Sequence, residues 1–356
     1  MHFFVPLVTA FLVRTTPRRL LTHGSSSSLS AEPPSRIPIG PPVVADNPAK
    51  YDDLLSWLRD CATVNDKVTL AESKCGGGFG AFVQDAVEKD EVLFEIPRSL
   101  CMTVEDALGD VELGEPMAKL IEKAGPGANT VALAGFIAKE RLMGDDSLYA
   151  PYLETLPWER FVNSQEHILY WTDEQVEQLL KDSMGYDEVL GLRKEVDLAI
   201  SVLGNVLTNR PTSPSGFVLP WQKNADGDEP VQPRDGLPQA VVGSFVCLLT
   251  RAFQDGVDED DDDEKLVPLL DMLQHSDAPN VRHTMSKDTG DVQVRARFAL
   301  EAQTELLNQY RSEMEESMPY HRFFTRFGFV PGLQDQPVVN LLLERSSIFF
   351  AQKAEV

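Results

Sequence analysis

The chain has 356 residues, of which 42% are hydrophobic and 25% charged, so it is long enough for a sizeable core and for two or three domains. No run of 18 or more apolar residues occurs, which argues against a membrane-spanning helix. The 32 basic and 56 acidic residues give a net charge of −24, which disfavours nucleic acid and anionic membranes as partners and favours a basic protein segment.

The cysteines predict neither a zinc knuckle nor a disulfide framework, because they are scattered and form no Cys-x-x-Cys pair. They are Cys61, Cys75, Cys101 and Cys247. Reduced thiols in a cytosol, stroma or matrix fit this pattern best.

Residues 1–30 are typical of a removable targeting presequence. An apolar run over residues 3–13 is followed by arginines and serines, and no acidic residue precedes Glu32. Residues 8–10 offer a small-residue cleavage site with Phe11 next, which resembles the two-part plastid presequences of algae with secondary plastids. This order predicts the plastid (chloroplast) stroma. A mitochondrial presequence and a disordered tail are the alternatives.

A linker and a short helix are predicted next. Residues 31–50 hold six prolines, which is typical of a linker. Residues 51–62 have the spacing of an amphipathic helix. Its apolar face consists of Leu54, Leu55, Trp57 and Leu58.

Residues 74–97 predict β-structure around a glycine turn, with GAFV and EVLFEI as strands on either side of a charged turn at Lys89 and Asp90. The glycine turn, GGGFGAF at residues 76–82, lets the backbone approach a ligand closely. It lacks the Gly-Lys-Ser/Thr of a nucleotide P-loop and leads into a strand, so a phosphate cradle is disfavoured. Taken alone, the motif favours a plain hairpin turn, with a ligand-binding turn as the alternative.

Residues 103–209 predict a block of helices with charged faces, in which Thr172 and Gln175 form a capping-box pattern. A loop rich in proline and glycine (211–238) and a buried helix (240–253) follow. The acidic run DEDDDDE (258–264) predicts a solvated loop, with a docking site for a basic partner as the alternative.

β-Structure is predicted again after the acidic run. Val292, Val294, Ala296 and Phe298 alternate on one face of a strand, and the apolar strand TELLNQY ends at Tyr310. β-Rich segments over residues 70–102 and 265–330 therefore bracket the helical block.

QHSDAPN (274–280) groups a histidine, a serine and an aspartate. No Gly-x-Ser-x-Gly elbow accompanies them, so a serine hydrolase is not indicated. A metal site through Asp271 and His283 has unsuitable spacing, and no metal is expected. Taken alone, His275 is a structural histidine and Tyr310 a packing residue.

Together these segments resemble the SET-domain protein methyltransferases, in the branch of the Rubisco large-subunit lysine methyltransferase, whose SET domain is split by a helical insertion. GGGFGAFVQDAVEKDEVLFEIPRSLCMT resembles the first half. SLYAPYLETLPWE and YWTDEQVEQL resemble the insertion. LLTRAF, KLVPLLDMLQHSDAPN, TELLNQY and RFGFVPG resemble the second half. The resemblance covers roughly residues 50–332, and its four motifs stand in the family's order.

The resemblance implies an α+β fold, a β-rich SET fold split by a helical insertion, with a short helical C-terminal remnant. The expected division is a presequence (1–30), a Pro-rich linker (31–50), the first half of the SET domain (51–105), the insertion with its Pro/Gly-rich loop (106–239), the second half (240–332) and a C-terminal helical segment (333–356).

The resemblance also implies S-adenosylmethionine as cofactor and a set of site residues. Tyr310 would be the catalytic tyrosine beside the reacting methyl, Arg251 would lie near the cofactor carboxylate, and Phe327 would line the substrate pocket. The segments expected to hold the cofactor comprise Gly77, Gly78, Phe79, Asp271, Gln274 and His275.

Three departures from the family pattern bear on function. Gln274 stands where the family has asparagine, Phe327 replaces a usual tyrosine, and the sequence ends soon after Gly332, where relatives continue into a helical substrate-binding lobe. The expected function is a protein-lysine N-methyltransferase for a non-histone, plastid protein with a basic segment. The alternatives are a catalytically silent SET-like interaction module and a methyltransferase for a histidine or an α-amine. Oligomeric state is not indicated.

Overall fold

The computed structural model describes residues 47–75, 78–158, 167–209, 232–253, 264–276, 278–310 and 320–328. Several predicted segments lie outside the described residues. They are the presequence, nearly all of the Pro-rich linker, the Pro/Gly-rich loop up to residue 231, the acidic run up to residue 263 and the C-terminal segment over 333–356.

Helices are formed where the sequence has helical apolar spacing. They are α1 (Ala49–Cys61), α2 (Val104–Gly109), α3 (Gly114–Ala124), α4 (Ala128–Met143), α5 (Ala150–Leu153), α6 (Asp173–Leu180), α7 (Met184–Gly204), α8 (Leu237–Arg251) and α9 (Tyr320–Phe327). The predicted capping box is confirmed: the Thr172 hydroxyl accepts from the backbone of Gln175, whose side chain accepts from the backbone of Thr172. Within the described ranges, no helix combines the length and apolar character needed to cross a bilayer.

The strands form two groups, one before and one after the helical block. The first group is β1 (Thr63–Val64), β2 (Val68–Glu72), β3 (Phe79–Val83), β4 (Val92–Ile96) and β5 (Met102–Thr103). The second group is β6 (Lys265–Leu266), β7 (Gln274–His275), β8 (Val281–Met285), β9 (Val292–Ala296), β10 (Thr304–Glu305) and β11 (Leu307–Asn308).

The two groups of strands join to form the sheets. One sheet has the order β1-β4-β9-β8 and another the order β10-β3-β2, and two pairs are β5-β6 and the parallel β7-β11. β4 therefore pairs with β9, β3 with β10, and β5 with β6, each joining a strand before the helical block to one after it. The α+β arrangement expected from the resemblance, in which two β-rich halves close across a helical insertion, is confirmed.

The helical block shares the main hydrophobic core with the sheets. One continuous cluster contains Leu54 of α1, Phe94 of β4, Ile137 of α4 and Phe245 of α8. α8 packs closely, since a Cβ on Gly243 would lie 2.6 Å from the indole of Trp158. A second, smaller cluster joins α6 and α7 to α9. Its members are Ile168, Trp171, Val176, Leu180, Val189 and Phe324.

Three local expectations differ from the structure. The predicted face ending at Phe298 is wrong at that residue, because β9 ends at Ala296 and the Phe298 side chain is 51% exposed. TELLNQY forms two short strands, β10 and β11, that pair with different partners. Helix α8 begins at Leu237, so Pro238 belongs to its first turn, where proline lacks only an N–H that the helix does not use.

Candidate active site

The glycine turn between β2 and β3 is held closed at its base. The Ser73 N–H donates to the Gly78 carbonyl across 2.9 Å, and Gly78 has a φ of 81°, a conformation that favours glycine. The hairpin predicted at this position is confirmed, with Glu72 opposite Phe79. Gly77, also expected to hold the cofactor, lies outside the described residues.

Phe79, also expected to hold the cofactor, contacts two segments that are distant in the sequence. The ring of Tyr51 in α1 stacks on the Phe79 ring, with centroids 3.9 Å apart and planes 13° apart. The Gln274 side-chain amide donates to the Phe79 carbonyl across 3.2 Å. The turn and the segment after the insertion therefore lie against each other.

Tyr310 is attached at both ends to the segment that contains Gln274. Its backbone N–H donates to His275 Nδ1 (3.2 Å), and its hydroxyl donates to the Leu273 carbonyl (2.9 Å). Burial raises the pKa of Tyr310 to about 12. The phenol therefore stays protonated near neutral pH, with its proton directed to a backbone carbonyl.

Aromatic rings of α9 form a wall beside Tyr310. The Phe327 ring lies 5.5 Å from the Tyr310 ring and 4.6 Å from that of Phe323, which in turn lies 5.7 Å from His275. Phe323 and Phe327 are buried. The residue expected in the substrate pocket thus lies next to the expected catalytic residue, and this part of the site is apolar.

Arg251 and Asp271 form a buried ion pair, and a tyrosine of the helical insertion donates a hydrogen bond to it. Arg251 Nη1 lies 3.3 Å from Asp271 Oδ2, which also accepts a 3.0 Å hydrogen bond from the Tyr152 hydroxyl. Burial raises the pKa of Asp271, and the Arg251 guanidinium opposes that shift. Burial lowers the pKa of Arg251, but Asp271, Tyr152, Tyr310 and Cys247 together raise it by more, so the net shift is upward. Because guanidinium keeps its proton in proteins, Arg251 carries its positive charge in this buried position.

Asp271 therefore contributes to the site through Arg251. Its side chain is fully buried, and Oδ2 is held by Arg251 and Tyr152, so the carboxylate orients the guanidinium. Oδ1 is buried and has no hydrogen-bond partner among the described residues. Arg251 Nη1 also donates to the Asp271 carbonyl across 3.2 Å. These contacts hold α8 and the 3₁₀ turn Leu270–Met272 in a fixed relation.

The polar groups suit the cofactor that the resemblance implies. In the part of the chain that the structure describes, Arg251 uses only Nη1, which leaves Nε and Nη2 for a carboxylate such as that of S-adenosylmethionine. The amide Nδ2 of Asn308 is buried and has no hydrogen-bond partner among the described residues, so it can donate to an acceptor on a ligand. The described residues contain no group of three or more His, Cys, Asp or Glu arranged to hold a metal ion.

Sequence reasoning missed three residues of this region: Tyr51, Tyr152 and Asn308. Tyr51 and Tyr152 stand at positions that are typical of ordinary core residues. Asn308 was the one with a visible signal, because an amide stood within the apolar stretch TELLNQY.

Comparison with known proteins gives one family. A family model described as SET domain matches residues 78–311. An N-lysine methyltransferase setd6 of Salmo salar is 27% identical over 235 residues, which cover 63% of this chain and 47% of that protein. An actin-histidine N-methyltransferase of Xenopus tropicalis is 24% identical over 315 residues, covering 86% of this chain and 48% of that protein. The chain spans about half the length of these relatives.

Solved structures show the same fold. The SET domain of LSMT bound to lysine and AdoHcy has a TM-score of 0.57 at 14% identity, over 79% of this chain and 57% of that chain. Rubisco LSMT bound to sinefungin and monomethyllysine has a TM-score of 0.58 at 15% identity, over 82% of this chain and 62% of that chain.

Proposed function

This chain belongs to the SET domain family, and we propose that it transfers a methyl group from S-adenosylmethionine to a side-chain nitrogen of another protein. Lysine is the favoured acceptor, since the N-lysine methyltransferase relatives and the LSMT structures act on or bind lysine by their names. The observation that carries the proposal is the fixation of Tyr310 on the Leu273 carbonyl, within a segment that also contacts the glycine turn.

The acceptor amine has to be unprotonated and desolvated to act as a nucleophile. The rings of Tyr310, Phe323 and Phe327 provide an apolar wall, and desolvation lowers the pKa of an amine by disfavouring its charged form. These rings therefore favour the unprotonated lysine and exclude water from the reaction.

Tyr310 orients the amine. Its single proton is donated to the Leu273 carbonyl, and a phenol oxygen is also a hydrogen-bond acceptor, which suits an amine N–H. With its pKa raised to about 12 by burial, Tyr310 is not suited to be a general base near neutral pH. Its contribution is alignment, which supplies a large share of the rate in such transfers.

S-adenosylmethionine, when bound, supplies a methyl group activated by an adjacent sulfonium. The residues that would hold it are Gly78 and Phe79 on one side and Gln274 and His275 on the other, with Arg251 for its carboxylate. Gly77 belongs to the same proposal from its position in the turn.

Histidine is the second candidate acceptor, because relatives named actin-histidine N-methyltransferase match up to 86% of this chain. The aromatic wall suits an imidazole ring as well as an aliphatic side chain. Fragmentation mass spectrometry of the methylated product distinguishes lysine, histidine and an α-amine.

The substrate is proposed to be a protein with a basic segment, because the chain has a net charge of −24. The composition of residues 1–30 supports the plastid stroma, with the mitochondrion as the alternative. Fusion of these residues to a fluorescent reporter tests the compartment.

The experiment that tests the function is incubation of the protein with labelled S-adenosylmethionine and plastid extract. We expect one or a few proteins to gain label, and the Tyr310→Phe variant to label them more slowly. Absence of S-adenosylmethionine binding in calorimetry would contradict the enzyme and favour a silent interaction module.

A further inference from the structure

A buried carboxylate lies under the glycine turn. Glu305 of β10 is 6% exposed, and its Oε1 accepts a 2.6 Å hydrogen bond from the Ser73 hydroxyl. Its Oε2 accepts the backbone N–H of Lys74 across 2.9 Å. Ser73 and Lys74 begin the turn, and the Ser73 hydroxyl also accepts the N–H of Cys75. One side chain therefore fixes the first three residues of the turn.

The packing of the neighbouring strand is fitted to this carboxylate. A Cβ at Gly80 would lie 2.6 Å from Glu305 Oε1, closer than nonbonded atoms approach. The Glu305 carboxylate thus fills the space that a side chain at position 80 would need. This close packing is a second observation, separate from the hydrogen bonds to the turn.

The same residue is connected to the strand that leads to Tyr310. The Glu305 carbonyl accepts from Asn280 Nδ2 across 2.7 Å, and Asn280 Oδ1 accepts the N–H of Leu307, also across 2.7 Å. A continuous set of hydrogen bonds therefore runs from the turn to β11.

We propose that Glu305 is a positioning residue that holds Ser73, Lys74 and Cys75, the residues that lead into the glycine turn, in the position that cofactor binding requires. This inference rests on the proposed function. Charge-assisted hydrogen bonds to the turn are stronger than neutral ones, so their loss lowers the fraction of molecules with a competent turn. The apparent dissociation constant is inversely proportional to that fraction. Glu305 thus sets cofactor affinity and leaves the rate of methyl transfer at saturating cofactor unchanged.

Binding of S-adenosylhomocysteine to the full chain, measured by calorimetry, gives the first test. We expect Glu305→Ala to weaken binding about tenfold and Glu305→Gln, which keeps one amide oxygen as acceptor, to weaken it less. Glu72→Ala is the matched control, because Glu72 is an exposed carboxylate on the same hairpin. It should bind as the wild type does.

Hydrogen exchange without cofactor gives a second readout. In Glu305→Ala we expect the amide of Lys74 to exchange about tenfold faster, while the amide of Leu70 in β2 stays unchanged. If Glu305→Ala does not fold, both the binding and the hydrogen exchange are measured on Glu305→Gln instead.

Three outcomes overturn the inference: unchanged exchange at Lys74, an equal loss of affinity in Glu72→Ala, or a lower turnover at saturating cofactor with unchanged affinity. Failure of the wild type to bind S-adenosylhomocysteine is distinct from these. It overturns the proposed function and with it the effect on affinity, whereas faster exchange in Glu305→Ala still supports the role of Glu305 in fixing the turn.

Discussion

The side-chain amide of Gln274 reaches the backbone carbonyl of Phe79 across 3.2 Å and so links two segments 195 residues apart. Asparagine, the residue usual in the family, is one methylene shorter and would not span the same gap from the same backbone. The departure from the family pattern at Gln274 therefore has a structural consequence. Its side chain forms a direct hydrogen bond, here called the tie, between the glycine turn and β7.

Removing this tie should weaken cofactor binding. We expect Gln274→Ala to raise the dissociation constant for S-adenosylhomocysteine about threefold to tenfold, the range for one neutral hydrogen bond. Gln274→Glu should do at least as much harm, since a carboxylate cannot donate to the Phe79 carbonyl. Calorimetry measures both, with Gln178→Ala on the exposed face of α6 as control. Wild-type affinity in Gln274→Ala would show that the tie is not used.

Breaking the buried ion pair should cost more stability than breaking an exposed one. Arg251→Ala leaves the Asp271 carboxylate buried without its cation, and we expect the free energy of unfolding to fall by about 3–5 kcal/mol. The control is Arg282→Ala, whose partner Asp90 is half exposed, and its loss should be about 1 kcal/mol or less. Urea unfolding measures both values.

The same pair predicts a partial recovery in a double variant. Arg251→Met with Asp271→Leu removes both charges, so it should be more stable than Arg251→Ala alone. Equal stability of the single and double variants would contradict the assignment of a desolvated pair. Tyr152→Phe, which removes one hydrogen bond to Asp271, should cost about 1 kcal/mol.

His167 should make the protein less stable in mild acid. Its Nδ1 accepts the N–H of Leu169, so Nε2 carries the proton and donates to the carbonyls of Thr325 and Arg326 at the end of α9. Burial lowers the pKa of His167 from 6.5 to about 4, although the hydrogen bonds with the two carbonyls oppose this shift. The unfolded chain therefore binds this proton more readily than the folded one.

The free energy of unfolding therefore has its full value above pH 6.5. It falls by about 3 kcal/mol in total as the pH decreases toward 4. His167→Gln, which keeps a donor to the carbonyls, should flatten the free energy of unfolding in this window. A His167→Gln variant with an unchanged slope would refute the assignment.

Tyr310→Phe should slow methyl transfer without weakening cofactor binding. Loss of the oxygen that orients the amine is expected to lower the turnover number about tenfold to a hundredfold. Because burial raises the pKa of Tyr310 to about 12, the wild-type rate should show no loss from tyrosine ionisation between pH 7 and pH 10. Steady-state kinetics over this range measures both effects.

The matched control is Tyr149→Phe, since Tyr149 is buried in the main core against Phe136. It should retain the wild-type rate. An unchanged rate in Tyr310→Phe would remove Tyr310 from the reaction.

Features that depend on neighbouring residues are predictable from the local sequence. Apolar spacing predicted α1, a threonine and a glutamine three residues apart predicted the start of α6, and glycines predicted the turn before β3. The order of short motifs also indicated the split fold. These features follow from local backbone preferences and from periodicity, which a single sequence displays.

Contacts between groups that are distant in the sequence become visible only in the folded chain. Glu305 reaches Ser73 across 232 residues, and Gln274 reaches Phe79 across 195. Phe298 continues the alternation of β9, yet it is exposed because the strand ends before it. Such contacts depend on how strands from the two halves pair and on where each strand stops. Those outcomes are set by the packing of the whole core, which leaves no periodic signal in the sequence of either segment.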